Sequence, residues 1–523
     1  MPATSLSRRT SGRVHRSVQP GSLHLKLGPI IPFVNDILDP WGSMLIDIRW
    51  PSDYSAVISE LPHLPRICRF GYERWHANRG PQRGSPHLCR KARLAMQRLL
   101  MLPITPFAAP IDTAVSVPGS KSLTNRALVV ASLAEGKSRL SNVLHSDDTR
   151  YMMSHLRTLG ISLQASDDEV EIEGLGGNFH PVQASLFCGN AGTTVRFLSA
   201  FCALVPGAQV ITGDQRMQAR PIRDLVDALT GLGVDIACAN GCPPVTVRSA
   251  VLPGGRVQVQ ANLSSQYLSA ILMVAPYAQQ PISLEAAGEM VSETYVELTL
   301  EVMAAFGVAI DRPDRRRFHI PQQCYQGRNF AIEGDATSAG YWWALAASTA
   351  GRVTVNNIQP SSHQGDMELL PILERMGCTI TRQPGVTVQG PGRLKSPGVV
   401  DMNRLPDGVM TLAVLAALAQ GETRIVNVAN LRIKESDRLT ALVTELRRIG
   451  IEAAELPDGI RIRGGEPHSA DIETYADHRM AMSFAILGTR VPGIRIGTPE
   501  CVSKSYPTFF EELQALYPSH RGC

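Results

Sequence analysis

Leu159-Gly160-Ile161 closes a run of helical apolar period. The same triplet of apolar residue, Gly and β-type residue returns at Leu232-Gly233-Val234, Phe306-Gly307-Val308, Met376-Gly377-Cys378 and Ile449-Gly450-Ile451. The glycines are 73, 74, 70 and 73 residues apart. Each reads as the left-handed residue that ends a helix and releases the chain into a strand. Between these triplets recurs a second element, an apolar Ala-rich helix, a turn and a short β-branched run, with turns at Gly136, Gly207, Gln280-Pro281, Gly351, Gly421 and Gly493. A period of roughly 70 residues is longer than the common solenoid repeats and too regular for chance. It predicts an α/β protein of six units, each with two helices and several strands, most simply two domains of three. The Ala-rich helices carry few charges on any face, so they are expected to be buried all round. The final helix, 508–516, has no strand after it, and 104–117 is expected to supply one, joining the two ends of the core.

Composition narrows the function classes. With 523 residues, 44% apolar and 19% charged, the chain has the make-up of an ordinary globular protein. Its longest apolar stretches, such as 411–419, reach roughly half the ~20 residues of a membrane-spanning helix, so no membrane association is expected. Ten scattered cysteines form no CxxC pair or ligand cluster, which points to a reduced compartment and no metal. The net charge of +4 divides unevenly: residues 1–100 hold 15 Lys and Arg against six Asp and Glu, and the remainder 36 against 41. The basic N-terminal stretch shows no sustained apolar period. A transit peptide, a fused domain, or a start codon assigned upstream of a true one at Met96 or Met101 would each account for it. In every case residues 1–100 are expected to be an extension outside the native core and dispensable for catalysis.

The polar residues of the core gather just before the buried helices: 118–126 (Pro-Gly-Ser-Lys-Ser-Leu-Thr-Asn-Arg), 189–196 (Gly-Asn-Ala-Gly-Thr-Thr-Val-Arg), Ser264-Ser265-Gln266, Asp335-Ala336-Thr337-Ser338, Pro406-Asp407-Gly408 and Asp477-His478-Arg479. Helix N-termini expose unpaired N–H groups and the positive end of the dipole, which suits anions. Capping accounts for the hydroxyls and carboxylates. It does not account for Lys121, Arg126, Arg196 and Arg479, cations placed where they oppose the dipole. Arg216, Arg220, Lys434, Arg438 and Lys504 add to the set, and Lys434 and Arg438 would share a helix face if their run is helical. In an acidic core, these cations predict a cleft for a ligand with several negative charges. Nucleic acid is excluded by the core's charge and the lack of an aromatic stacking set. There is no GxxxxGK[ST] loop, His478 has no second ligand at metal spacing, and no nucleotide or other cofactor is implied.

These motifs, in this order over about residues 102–516, closely resemble the enolpyruvyl transferase family, in its branch acting on shikimate 3-phosphate. The resemblance implies two domains of three βαβαββ units forming an inside-out α/β barrel, divided as 101–120 plus 335–517 and 121–334. It implies transfer of the carboxyvinyl group of phosphoenolpyruvate to the 5-hydroxyl of shikimate 3-phosphate, releasing phosphate through a tetrahedral intermediate. Lys121, Asn190, Gly192, Arg220, Gln266, Arg438, Arg479 and Lys504 would hold phosphoenolpyruvate. Ser122, Arg126, Ser264, Ser265, Gln266, Ser292, Asp407, Asn430 and Lys434 would hold shikimate 3-phosphate. Asp407 is the expected base and Glu435 the expected acid, with Lys121 also catalytic. Lys434 and Arg438 favour ionised Glu435, so burial or substrate charge must restore its proton. Lys121 and Arg126 are expected to face ligand and contribute nothing to the core. Sites drawn from both domains imply closure on substrate. Glyphosate is expected to compete with phosphoenolpyruvate, with Phe197 and the bulky Gly340-Tyr341-Trp342-Trp343 departing from the family's usual residues beside the loops. A cytoplasmic monomer is expected, or a plastid protein if residues 1–100 include a transit peptide. The alternatives are a transferase acting on UDP-N-acetylglucosamine, disfavoured by Lys121-Ser122 and the lack of a loop Cys near Arg216, and an inactive anion-binding scaffold, disfavoured by the intact Lys121, Asp407, Glu435 and His478-Arg479.

Overall fold

The computed structural model describes residues 101–517, and the expectations for residues 1–100 lie outside the described residues. Among the described residues, twelve α-helices alternate between two kinds. α1 (Lys121–Leu133), α3 (Gly192–Phe201), α5 (Gln266–Val274), α7 (Ala336–Thr349), α9 (Val409–Leu418) and α11 (His478–Gly488) are buried on nearly every face, as their lack of charge requires. α2 (Asp147–Thr158), α4 (Arg223–Gly231), α6 (Thr294–Ala305), α8 (Leu369–Arg375), α10 (Arg438–Arg448) and α12 (Phe509–Ala515) bury one side and expose the other.

The five triplet glycines end α2, α4, α6, α8 and α10 with φ of 96°, 89°, 89°, 102° and 84°. At the first, the Gly160 N–H donates to Arg157 O and the Ile161 N–H to Leu156 O, both at 3.0 Å, and the other four repeat this pair of bonds. That is the six-to-one, five-to-two closure that satisfies the last carbonyls of a helix, and it needs a residue without a left-handed penalty. Gly351 lies between α7 and the strand Arg352–Val355, where a turn is expected. The left-handed residue there is Ala350, with φ 53°. Gly351 instead meets the chain at Ile111, where a Cβ would lie 2.7 Å from the carbonyl oxygen.

Among the described residues, six separate sheets of three or four strands accompany the helices. In each, the strand following a buried helix has one parallel and one antiparallel neighbour. Gly207–Thr212, for example, lies between Val182–Phe187 and Val245–Val247. The sixth sheet takes its antiparallel strand from the start of the described chain, Leu102–Pro103 against Ile494–Ile496. The stretch 104–117 therefore does not act as one strand. Pro106 and Pro110 interrupt it, since proline cannot donate to a ladder, and Asp112–Val115 pairs with Arg352–Val355 in a different sheet. Phe107 stacks on Tyr517 with ring centroids 4.4 Å apart, tying the end of α12 to the same stretch.

Buried apolar side chains form two clusters, one drawn from residues 123–332 and the other from Ile104, Val117 and residues 336–513. The chain passes between them twice, and the two crossings lie side by side: the Ser120 N–H donates to Glu333 O at 2.8 Å and the Asp335 N–H to Pro118 O at 2.9 Å. Among the described residues, no helix is long and apolar enough to cross a membrane.

Candidate active site

The polar starts of the buried helices are brought together by a continuous set of ion pairs and hydrogen bonds. Lys121 Nζ, at the head of α1, lies 3.2 Å from Asp148, in the first turn of α2. Lys504 Nζ reaches the other oxygen of Asp148 at 2.7 Å and also donates to Asn190 O at 2.7 Å. Arg220 donates to Asn190 Oδ1 at 3.0 Å and stands 3.7 Å from Glu435. Arg438 then touches three carboxylates: Glu435 at 3.0 Å, Asp407 at 2.9 Å and Asp477 at 2.8 Å. Arg479 closes the set, donating to Asp407 Oδ2 at 2.7 Å and to the Tyr341 hydroxyl at 3.3 Å.

Gly192 begins α3 against Arg220 and a further cation, Arg196. A Cβ there would lie 2.6 Å from Arg196 Nη1 and 2.7 Å from Arg220 Nη2. Gln266, the first residue of α5, donates to Thr193 Oγ1 at 3.2 Å, and its own N–H is capped by Ser264 Oγ at 3.3 Å; Ser265 is the N-cap residue of α5. Among the described residues, no hydrogen bond or ion pair ties Ser292 or Asn430 to this network. Each does keep a buried side-chain oxygen without a hydrogen-bond partner, and Ser292 holds a left-handed φ of 56°.

The electrostatics follow from burial and crowding. Burial alone would raise the Asp407 carboxyl, but Arg479, Lys434 and Arg438 outweigh it and hold Asp407 far below the usual carboxylate range. Glu435 is likewise held well below its ordinary value, the push of burial being overcome by Arg438, Arg220 and Lys504. Burial therefore does not suffice to raise the Glu435 carboxyl. Burial draws the Lys434 ammonium down, with Asp407 partly opposing. His478 is fully buried, its ring nitrogens make no hydrogen bond, and burial with Arg479 and Lys121 keeps it neutral. Among the described residues, no three His, Cys, Asp or Glu side chains are grouped to hold a metal ion.

Several sequence expectations change here. Lys434 and Arg438 do not share a helix face: the 3-10 turn Ala429–Ile433 ends before Lys434, which is extended, and α10 begins at Arg438. Arg126 is part of the core. Its guanidinium donates to Thr299 Oγ1 (2.8 Å), Ser122 O (2.9 Å), Ser269 Oγ (3.2 Å) and Tyr295 O (2.9 Å), and burial pushes its pKa down to about 10. Arg196 spends its donors on Gly192 O and Pro221 O, and Arg216 on Lys434 O at 2.7 Å and Glu435 O at 3.1 Å. What the sequence does not show is that these three arginines also meet protein acceptors, some of them far along the chain. Asp148 was missed for the converse reason: Asp147 and Asp148 at a helix start look like ordinary capping acids. Tyr341 lies nearer the cations than its place beside the loops suggested.

Cations gathered at the starts of buried helices, interleaved with carboxylates, define a site for small ligands of high negative charge in a mixed α/β protein. The comparisons give this class a family. Residues 107–513 match the model for EPSP synthase (3-phosphoshikimate 1-carboxyvinyltransferase). A 3-phosphoshikimate 1-carboxyvinyltransferase of Shewanella loihica is 43% identical over 429 residues, covering 80% of this chain and all of that protein. One of Trichormus variabilis is 44% identical over 407 residues, covering 77% of this chain and 95% of the relative. Among solved structures, EPSP synthase from Acinetobacter baumannii superposes with a TM-score of 0.67 at 27% identity, covering 80% of this chain and 98% of that one. The chain belongs to the EPSP synthase family, and it is an enzyme of the transferase class.

Proposed function

We propose that Asp407 and Glu435 divide the acid–base work of the family's reaction in this chain, the transfer of the carboxyvinyl group of phosphoenolpyruvate to the 5-hydroxyl of shikimate 3-phosphate. The observation that carries this reading is that both carboxylates meet one guanidinium, Nη1 of Arg438 at 2.9 Å from Asp407 and Nη2 at 3.0 Å from Glu435. They therefore face a common space from different elements. Asp407, ionised throughout the neutral range, accepts the proton of the 5-hydroxyl as its oxygen bonds to the central carbon of phosphoenolpyruvate. Glu435 delivers a proton to the methylene carbon, giving the tetrahedral intermediate, and as the C–O bond to phosphate breaks the new methyl group gives a proton back to the Glu435 carboxylate, restoring the carbon–carbon double bond. Two substrates that each carry a carboxylate and a phosphate bring the negative charge that weakens the cationic hold on Glu435 and lets it protonate.

In this reading Lys121, Arg220, Arg438, Arg479 and Lys504, with Asn190, Gly192 and Gln266, hold phosphoenolpyruvate. Ser122, Arg126, Ser264, Ser265, Gln266, Ser292, Asp407, Asn430 and Lys434 hold shikimate 3-phosphate, Arg126 from a place within the core. The unpartnered oxygens of Ser292 and Asn430 support their assignment, because a buried polar atom without a partner is costly unless a ligand supplies one. The alternating helices and the six sheets built to one rule support two domains of three βαβαββ units, arranged as an inside-out barrel and divided at the paired crossings near 120 and 335.

A phosphate-release assay tests the function. The enzyme should release phosphate only when both phosphoenolpyruvate and shikimate 3-phosphate are present, and Asp407→Asn should lower kcat on the order of 10²-fold or more with a smaller change in KM. Equal turnover with UDP-N-acetylglucosamine as acceptor, or an effect on KM alone, would reject the reading.

A further inference from the structure

Asp366 is a buried carboxylate that none of the chemistry above uses. It sits in the 3-10 turn Gly365–Glu368, whose N-terminal neighbour Gln364 pins it to the start of α7: Nε2 donates to Gly334 O at 2.7 Å and Oε1 accepts from the Ala336 N–H at 3.1 Å. Gly365 wedges the turn between two other segments, since a Cβ there would lie 2.4 Å from Thr294 Oγ1 and 2.8 Å from Arg404 O. Held this way, Asp366 presents one oxygen to the Tyr295 hydroxyl at 3.4 Å. The other, Oδ1, is buried without a hydrogen-bond partner and lies 3.9 Å from where a Cβ on Gly408 would be, against the turn that carries Asp407.

The charges facing Asp366 do not suit an anion. Asp407 comes from the turn 406–408, Asp335 from the head of α7 and Arg479 from α11, with the Tyr295 and Thr337 hydroxyls alongside. Arg479 is committed to Asp407 at 2.7 Å, and among the described residues Asp366 has no ion-pair partner of its own. Burial, reinforced by Asp407, pushes its pKa up to about 7. Neighbouring carboxylates whose environments drive them apart take different protonation states. Tyr295 also links this corner to the acceptor side of the cleft, because its carbonyl takes a hydrogen bond from Arg126 and Ser292 lies three residues before it.

Resting on the functional reading above, we propose that Asp366 is a positioning residue that must be protonated for shikimate 3-phosphate to bind, so that its unpartnered oxygen brings no second negative charge against the Asp407 turn. Ionised, it would set a second negative charge next to Asp407 and repel the anionic acceptor. KM for shikimate 3-phosphate in the full-length enzyme should then rise about tenfold between pH 6 and pH 9. In Asp366→Asn it should stay near the wild-type value at pH 6. In Tyr295→Phe the rise should move to higher pH, because a hydrogen bond that favours the carboxylate is lost. An Asp366→Asn profile parallel to wild type overturns the proposal, and if that variant does not fold, an unmoved limb in Tyr295→Phe overturns it equally. Phosphate release by wild type at pH 6 tests the functional reading separately, so a failure there is not confused with a failure here.

Discussion

Lys121 and Arg126 stand five residues apart at the head of α1, yet the structure gives them opposite characters. The Lys121 side chain is 13% exposed and pairs with Asp148, which keeps Lys504 as a second partner. Arg126 is 2% exposed, with acceptors on four residues and its guanidinium 5.3 Å from the centroid of Phe197. Lys121→Ala should cut turnover on the order of 10²-fold or more while thermal melting barely moves. Arg126→Ala should also cut turnover, but it empties a buried site and removes four hydrogen bonds, and should cost on the order of 2–4 kcal/mol of stability. Calorimetry of both variants checks this, and an Arg126→Ala protein that melts with wild type would refute it. Sequence had placed both lysine and arginine in the cleft with no part in the core. The motif identifies the residue and its neighbourhood, but three of the four residues that accept from Arg126 lie more than 140 positions away.

At the scale of elements, what was legible is what depends on local backbone rules. The five triplet glycines, the buried character of the Ala-rich helices and the polar caps at their starts follow from φ, burial and capping, which act within a few residues. Strand partnership does not, and so the division of 104–117 between two sheets could not be read from the stretch itself. Nor could the fate of Lys434, which a four-residue spacing put on a helix that begins only at Arg438. The cap of α3 offers a direct test of element geometry. Arg196 is fixed by Gly192 O and Pro221 O, so it cannot retreat from a new methyl at position 192. Gly192→Ala should raise KM for phosphoenolpyruvate about tenfold, equivalent to ~1.4 kcal/mol, with kcat changed less. Unchanged KM would show that the α3 cap does not shape that subsite.

Across the whole molecule, the two apolar clusters are joined by more than the paired crossings. Arg216 donates to the carbonyls of Arg432, Lys434 and Glu435, and Lys504 reaches Asp148 and Asn190. Mutual repulsion of cations, the expected obstacle to closure, is relieved by Asp148, Glu435 and Asp407 standing between them. Arg216 binds backbone rather than carboxylates, so its loss should loosen the approach without altering the charge network. Arg216→Ala should raise KM for both substrates and enlarge the radius of gyration in small-angle scattering, and identical scattering with unchanged KM would argue against it. The crossings also impose an order on synthesis. Every strand of the first cluster's sheets lies between Glu135 and Ala331, so that part can assemble as soon as it leaves the ribosome. Leu102, by contrast, waits for Ile496. At ~5–20 residues per second that is roughly 20–80 s for the first strand, and roughly 12–48 s for Asp112–Val115, which waits for Arg352–Val355. Their shortness, two and four residues, and the prolines at 103, 106 and 110 make them poor templates for another chain during that delay.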